Sequence, residues 1–216
     1  MGVREVRGRR PAPALALVLL AVVLAACASG GHGGAGPRTA AGSGSASGLT
    51  QVRTFAAYSS AGTLTVPVST TEQGNCWTTS IAVAAPGAYR CFAGNDILDP
   101  CFAAPGSATA SQSAEVACVS APWAKAVVLE LTSDLPAATG EAAAARPWAF
   151  ELANGARCVA STGTVPEVAG VNLEYQCAGG YGASLDNATA AKATARYAKI
   201  GAATVTSVAV TTIWRS

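Results

Sequence analysis

The sequence is poor in histidine, in charged residues and in aromatic residues. Of its 216 residues, one is histidine, 12% are charged and 6% are aromatic. The histidine, His32, precedes the part of the chain that we expect to fold, so it cannot serve there as the base of a serine–histidine–acid triad. A lysine base for a serine stays open, but the lysines lie in no local catalytic signature; they are Lys125, Lys192 and Lys199.

An uncharged apolar segment runs from Pro11 to Cys27 after four arginines, Arg4, Arg7, Arg9 and Arg10. This order is typical of a secretory signal, and the segment is shorter than the roughly 20 apolar residues of a spanning helix. Its end, Leu24-Ala25-Ala26-Cys27, resembles the lipobox of bacterial lipoproteins. The resemblance implies a signal peptide over residues 1–26 and a diacylglycerol on the thiol of Cys27, with palmitate among the acyl chains.

We therefore expect a protein anchored by lipid to the extracytoplasmic face of the cell membrane. Two or more acyl chains anchor a protein stably, since each buried methylene contributes about 0.8 kcal/mol. An uncleaved signal anchor is the alternative to cleavage, and twin-arginine export through Arg9-Arg10 is the alternative to the general secretory route.

The charge of the mature chain excludes nucleic acid as an expected partner. Without residues 1–26 the chain keeps ten basic and eleven acidic residues, hence a net charge of −1. No cationic cluster of the kind that phosphate backbones require is present. The basic balance of the whole sequence belongs largely to the signal segment.

The sequence next divides into a linker and a domain. Residues 27–48 contain the acylated cysteine and a stretch from Ala28 to Gly48 with eight glycines and four serines. Such a composition does not fold, and a flexible tether of this length spans roughly 25 Å. We expect an ordered extracytoplasmic β domain over residues 49–216.

Six cysteines remain behind Cys27, and an even number in an exported domain favours disulfides. We predict local pairing, because each pair brackets a plausible turn or hairpin: Cys76 with Cys91, Cys101 with Cys118, and Cys158 with Cys177. A zinc site is the alternative, but the spacings lack a C-x₂-C pair and no histidine is available to complete the ligand set.

The apolar pattern predicts short strands separated by turns. Alternation is clearest at 127–131 and at 148–152, where Asn154-Gly155 predicts a type I′ hairpin turn and a return strand at 157–160. Further strands are predicted at 52–58, 64–68, 171–177, 194–200 and 205–214. We predict turns at Asn95-Asp96, at Asp99-Pro100 and at the glycines of 179–182, a loop at 136–146, and one short helix from Pro86 to Cys91.

These elements predict a mainly β fold: a single, disulfide-stapled antiparallel sandwich or partly open barrel with one short helix. The motifs carry a resemblance as well. They are Cys76-Trp77, Tyr89-Arg90-Cys91, Gly94-Asn95-Asp96-Ile97, Asp99-Pro100-Cys101-Phe102, Asn154-Gly155 before Cys158, and Tyr175-Gln176-Cys177-Ala178-Gly179-Gly180. Over about residues 74–182 the chain resembles a family of uncharacterised exported or lipid-anchored domains from high-GC Gram-positive bacteria. The resemblance implies the compartment and the domain boundary, but no catalytic residues.

Three functions are compatible with this sequence. The leading hypothesis is a binding or structural domain at the cell envelope, monomeric and without a cofactor or metal, whose partner is an envelope protein, a glycan or a small ligand. Its possible ligand contacts are Trp77, Trp123 and Tyr181, while Trp148 is expected in the core. Trp214 and Tyr89 are further aromatic candidates.

The second function is a secreted hydrolase that uses two of Asp96, Asp99 and Glu115, because paired carboxylates serve as acid and base. Turn-forming aspartates and a calcium site that includes Asn95 are the alternatives for these residues. The third is a disulfide-stapled protease inhibitor with an exposed loop at 103–114.

Overall fold

The computed structural model describes residues 48–107, 115–137 and 146–216. The predicted signal peptide, Cys27 and most of its linker lie outside the described residues, as do parts of the loops predicted at 103–114 and 136–146. No helix within the described residues is long and apolar enough to span a membrane.

Fourteen strands lie within these described residues. They are β1 (Gln51–Thr54), β2 (Val68–Thr79), β3 (Ala88–Ala93), β4 (Asp96–Ala103), β5 (Glu115–Cys118), β6 (Ala126–Leu131), β7 (Ala149–Leu152), β8 (Arg157–Ala160), β9 (Glu167–Val168), β10 (Val171–Asn172), β11 (Tyr175–Cys177), β12 (Tyr181–Asp186), β13 (Thr194–Lys199) and β14 (Thr206–Arg215).

Strands β2 to β6 form a five-stranded sheet that closes into a barrel, which we call the first barrel. Consecutive strands pair antiparallel, and the parallel pairing of β2 with β6 closes the ring. Tyr89, Val116 and Leu129 fill its interior. Gly74 lies so close to the carbonyl of Phe92 that a side chain there has no room.

The second barrel has six strands in the order β7, β8, β11, β12, β13 and β14, and β14 pairs back with β7. All six pairings are antiparallel. Strand β1 adds to the outside of β14 in parallel orientation, and a small hairpin of β9 and β10 precedes β11.

Aromatic side chains join the two barrels in one buried cluster. Trp148 is 1% exposed, and its ring lies 5.8 Å from that of Phe102 and 4.8 Å from that of Phe55. Phe102 belongs to the first barrel and Trp148 immediately precedes β7 of the second. The core position predicted for Trp148 is confirmed.

The main predictions of the fold are confirmed. The chain is mainly β, its sheets are barrel-like, and all three disulfides form in the predicted pairing. The predicted strands at 127–131, 148–152, 157–160, 194–200 and 205–214 are present within a residue or two. The sheets close completely, however, and they form two barrels instead of one.

The short helix predicted from Pro86 to Cys91 is wrong. Pro86 and Gly87 form a turn, and β3 begins at Ala88. The physical reason is the pairing of Cys91, which lies directly opposite Cys76 in the ladder of β2 and β3. A proline at a turn fits the same fixed φ that favours the start of a helix.

The predicted turn at Asp99-Pro100 is also wrong, because both residues lie inside β4. Between the pairs Tyr89–Cys101 and Cys91–Leu98, one residue of β3 faces two residues of β4. This bulge accommodates the proline, which cannot donate a ladder hydrogen bond. The other turn shifts by one residue, to Gly94-Asn95.

Five further details differ from expectation. The strand predicted at 64–68 is reduced to a bridge between Leu64 and Tyr58, and Val68 begins β2. The hairpin after β7 is present, but only Gly155 of Asn154-Gly155 has a positive φ, so the turn is not type I′. The strand predicted at 171–177 is divided into β10 and β11, and the one at 52–58 ends at Thr54. Gly182, which was predicted in the glycine-rich turn, lies in strand β12.

Candidate functional site

A groove lies where the two barrels meet. One wall is the β5–β6 connection of the first barrel, which carries Trp123; the other is the outer face of β7, β8 and β11. The groove has a volume of about 620 Å³. On the strand wall, the polar side chains Glu151, Arg157 and Gln176 project from outward positions, and Ser120 lies on the opposite wall. We call it the junction groove.

The Trp123 ring is held in place by its neighbours and still faces solvent. It packs edge-on against Trp214 of β14 at 5.3 Å and is 39% exposed. The Arg157 guanidinium lies 5.2 Å from its centroid and 3.7 Å from the Glu151 carboxylate. Each exposed contact contributes at most about 1 kcal/mol, so these contacts orient the ring without burying it.

The loop that carries Trp123 is held in place by buried side chains and backbone hydrogen bonds. Val119 and Ala121 are buried in the core. The Val119 N–H donates to the Pro100 carbonyl at 3.0 Å, and the Ala124 N–H donates to the Ala121 carbonyl at 2.9 Å. The loop thus presents Trp123 from a rigid base, which lowers the entropy cost of ligand binding.

Trp77 lies on the first barrel in a separate patch. It is 44% exposed, packs against Phe92 at 5.7 Å, and has the Arg90 guanidinium 5.7 Å from its ring. Ile97, opposite Phe92 in the sheet, extends the patch. Trp77 does not line the junction groove.

Tyr181, the third predicted contact, is half-buried at one end of the second barrel. Its ring stacks on that of Tyr197 at 4.9 Å with an interplanar angle of 5°. Burial raises the pKa of Tyr197, and Tyr181 raises it further. This pair lies on β12 and β13 of the barrel wall. Of the three aromatics, Trp123 is the one that lines the junction groove.

The carboxylate of Asp99 is buried and has several partners. Its side chain is 1% exposed; Ser80 donates to it at 2.5 Å and Arg90 lies 3.6 Å away. The Ile81 N–H donates to its second oxygen at 3.3 Å. Burial raises the pKa of Asp99, and these hydrogen bonds and Arg90 oppose that rise.

This arrangement fixes a turn of the chain. The Ser80 oxygen also accepts from the N–H of Ala82 and of Val83 at 3.2 and 3.0 Å. With Asp99 as its acceptor, Ser80 has no free hydrogen to give to a substrate. The network is therefore a structural connection between the 80–83 turn and β4.

The three acids proposed for a hydrolase do not converge. Asp96 is exposed whereas the Asp99 side chain is buried, and the two residues lie three positions, or about 10 Å, apart along β4. Glu115 lies one residue beyond the pair of Ala103 with Val116, and Ala103 is already about 13 Å along β4 from Asp99 at 3.3 Å per residue. Glycosidase carboxylates are about 5 to 9.5 Å apart.

The fold instead places Glu115 directly opposite Glu130 on β6. Both are exposed, and with Gln73 they line a shallow groove of about 330 Å³. Solvent screens two such exposed carboxylates from each other. Sequence analysis did not identify this pair, because it depends on the register of two strands and not on a motif.

The cysteines form two neighbouring disulfides in the first barrel. The Sγ atoms of Cys91, Cys101 and Cys118 lie within 4.8 Å of one another, the one such group of possible metal ligands among the described residues. Each sulfur is bonded to another cysteine, and a bridged sulfur is not the thiolate that binds zinc. The third disulfide joins β8 to β11 beneath the junction groove.

The loop suggested for protease inhibition begins above the Cys101–Cys118 disulfide, at the ends of β4 and β5. In its described part, Ser107 donates to the Ala104 carbonyl at 2.6 Å. Residues 108–114 lie outside the described residues.

No protein-family model, no curated protein and no solved structure matches this chain. The resemblance of its motifs to exported lipoprotein domains therefore stays a prediction.

Proposed function

We propose that this protein is a lipid-anchored domain on the extracytoplasmic face of the cell membrane that binds an envelope component through the junction groove. The compartment is supported by the lipobox at Cys27 and by three disulfides in one small domain, which suit an oxidising environment. The observation that carries the binding role is the groove itself, with Trp123 exposed on a rigid loop.

The lining of the groove favours a ligand that has both an apolar face and many hydroxyl or amide groups. Trp123 offers an aromatic surface, while Glu151, Arg157 and Gln176 offer acceptors and donors around it. Binding sites commonly combine an apolar wall with a few placed polar groups. Cell-wall glycans have this chemistry, and we propose them as the ligand class.

Replacement of Cys27 by Ala tests the anchor. Without the thiol no diacylglycerol is attached, so we expect the protein to leave the membrane fraction and to be found in the medium. The control is Cys158→Ala with Cys177→Ala, which also removes sulfur but leaves Cys27 in place. Retention of the Cys27→Ala variant in the membrane would contradict lipid anchoring.

Replacement of Trp123 by Ala tests the groove. We expect co-sedimentation with purified insoluble cell-wall glycan to fall at least tenfold, since covering a large apolar side chain with a ligand contributes about 1.5–3 kcal/mol. Trp77→Ala is the matched control, because that ring is similarly exposed but lies outside the groove. Equal loss in both variants, or no binding by the wild-type protein, would refute the proposal.

The hydrolase stays a weaker alternative, since Asp96, Asp99 and Glu115 lie apart. The protease inhibitor depends on the loop at 103–114, of which only the first residues are described. Protease inhibition is tested by measuring the activity of a panel of serine proteases in the presence of the purified protein. A variant with a shortened 103–114 loop is the control.

A further inference from the structure

The six-stranded barrel has one end at which its strands are joined by longer segments. Antiparallel pairing places the start of β7, the start of β11, the end of β12 and the end of β14 at this end. A pocket of about 240 Å³ opens there. Tyr175 and Leu185 form its floor, and Arg146, Arg215 and Glu174 lie at its rim.

The two arginines are half-buried and held by backbone carbonyls. The Arg146 Nη2 donates to the carbonyls of Ile81 and Ser161 at 3.2 and 3.5 Å. The Arg215 Nη2 donates to the Ala188 carbonyl at 3.3 Å. In each side chain, one nitrogen fixes the guanidinium, and the described part of the chain leaves other N–H groups of the five for a ligand.

Neither arginine is neutralised by a described acid. The ion pairs found within 48–107, 115–137 and 146–216 join other arginines to acids, namely Arg90 to Asp99, Arg157 to Glu151 and Arg196 to Asp186. Glu174 lines the pocket but lies beyond 4 Å from both guanidinium groups.

The floor of the pocket stays neutral. Tyr175 is 2% exposed, and its hydroxyl donates to the Pro147 carbonyl at 2.9 Å. Burial raises the pKa of Tyr175 to about 12; the charge of Arg146 opposes that rise, Glu174 adds to it, and Arg215 opposes it. Two cations and one anion therefore surround an uncharged phenol, which leaves the pocket with a net charge of +1.

We propose that this pocket binds an oxyanion, a phosphate or carboxylate group, between Arg146 and Arg215. Guanidinium groups match the geometry of both anions through paired N–H donors. Because the carbonyl hydrogen bonds already orient both side chains, little conformational entropy is lost when the anion enters. The site is separate from the junction groove and does not depend on the function proposed for that groove.

The test is a titration of the full-length protein with sodium phosphate, followed by the arginine Nε–Hε signals in NMR spectra, against sodium chloride at equal ionic strength. We expect two arginine signals to shift saturably, with a dissociation constant on the order of 1–10 mM. Arg146→Gln or Arg215→Gln should weaken binding about tenfold, the effect of one charged hydrogen bond.

Arg196→Gln is the matched control, because it removes the same charge from the wall of the same barrel, where Arg196 pairs with Asp186 at 3.2 Å. Binding should be unchanged in this variant. If a pocket variant fails to fold, the phosphate titration of the wild-type protein is sufficient by itself. Arginine signals that shift linearly with phosphate, and by the same amount as with chloride, would overturn the proposal. Equal weakening by Arg196→Gln would overturn it too.

Two further titrations identify the source of the anion. Sodium acetate tests whether a carboxylate replaces phosphate, and vesicles of phosphatidylglycerol, sedimented with the Cys27→Ala chain, test a lipid headgroup. Arg146-dependent binding to vesicles would assign the site to headgroups, and a response to soluble phosphate or acetate alone would assign it to free anions. The absence of a response in all three would refute the site.

Discussion

Removal of the Cys158–Cys177 disulfide is expected to destabilise the domain by about 3 kcal/mol. The bridge closes a segment with a sequence separation of 19 residues. In the chain-entropy treatment, ΔS ≈ −2.1 − 1.5R ln n cal/mol/K, which for this separation gives about 3.2 kcal/mol at 25 °C. A domain of this length loses about 2–4 °C of Tm per kcal/mol. We therefore expect Cys158→Ala with Cys177→Ala to unfold about 6–13 °C earlier.

The assay is thermal and urea unfolding followed by circular dichroism, with the thiols titrated in the unfolded state. The matched control is Cys76→Ala with Cys91→Ala, whose separation of 15 residues predicts a similar loss of about 3.0 kcal/mol. The three disulfide loops do not overlap in sequence. Their contributions should therefore add to about 9 kcal/mol, within the usual total stability of 5–15 kcal/mol.

Full reduction is thus expected to remove most of the stability of the domain at 25 °C. An unchanged midpoint in the double variant, or six reactive thiols in the unreduced protein, would refute this reasoning. A loss much above 5 kcal/mol in one double variant would also contradict it, since it would mean that packing around the sulfurs, and not loop closure, dominates.

Two other predictions concern single positions in the barrels. Gly74→Ala should lower the free energy of unfolding in urea by about 1–3 kcal/mol, because the added Cβ would overlap the Phe92 carbonyl. Gly163→Ala is the control, and it should leave this free energy almost unchanged because there is open space around Gly163. Equal effects of the two substitutions would contradict the packing argument. Tyr175→Phe should cost about 1 kcal/mol near pH 7, the worth of its hydrogen bond to Pro147. The pKa of Tyr175 is raised from 10.0 to about 12 in the folded protein. The folded protein therefore holds this proton more tightly than the unfolded chain does, and the free energy of unfolding of the wild type falls by up to about 2.7 kcal/mol as the pH rises from 10 to 12. Below pH 10 this loss is absent, and Tyr175→Phe does not show it at any pH. The stabilities of wild type and variant should therefore cross in this window, and parallel curves would refute the assignment.

Local patterns were sufficient to predict much of the fold. Alternation at 148–152 and the following Asn-Gly identified the hairpin of β7 and β8, since both signals act within a few residues. Cysteine spacing identified the disulfide partners for the same reason. Pro86 and Pro100 misled the prediction because proline suits a turn, the first turn of a helix or a bulge, and the ladder partners decide among these.

The candidate sites could be predicted only in part. The sequence identifies Trp123, together with Trp77 and Tyr181, as a possible contact because aromatic side chains can line a ligand-binding face. Its neighbours Arg157 and Trp214 come from β8 and β14, and nothing near them in the sequence indicates that they meet. The Arg146 and Arg215 pocket was not foreseen for the same reason: it depends on how the barrel closes.

The closure of the second barrel also determines which side chains reach each site. In the pairing of β14 with β7, Thr211 is an extra residue between the pairs Val210–Leu152 and Thr212–Glu151. Its hydroxyl donates to the Glu151 carbonyl at 3.1 Å. Without this bulge, strand alternation would place Val210 and Ile213 on opposite faces, yet both are buried. The bulge therefore keeps both apolar side chains inward, and as a consequence the next residue along β14 after Ile213 turns its indole outward to Trp123.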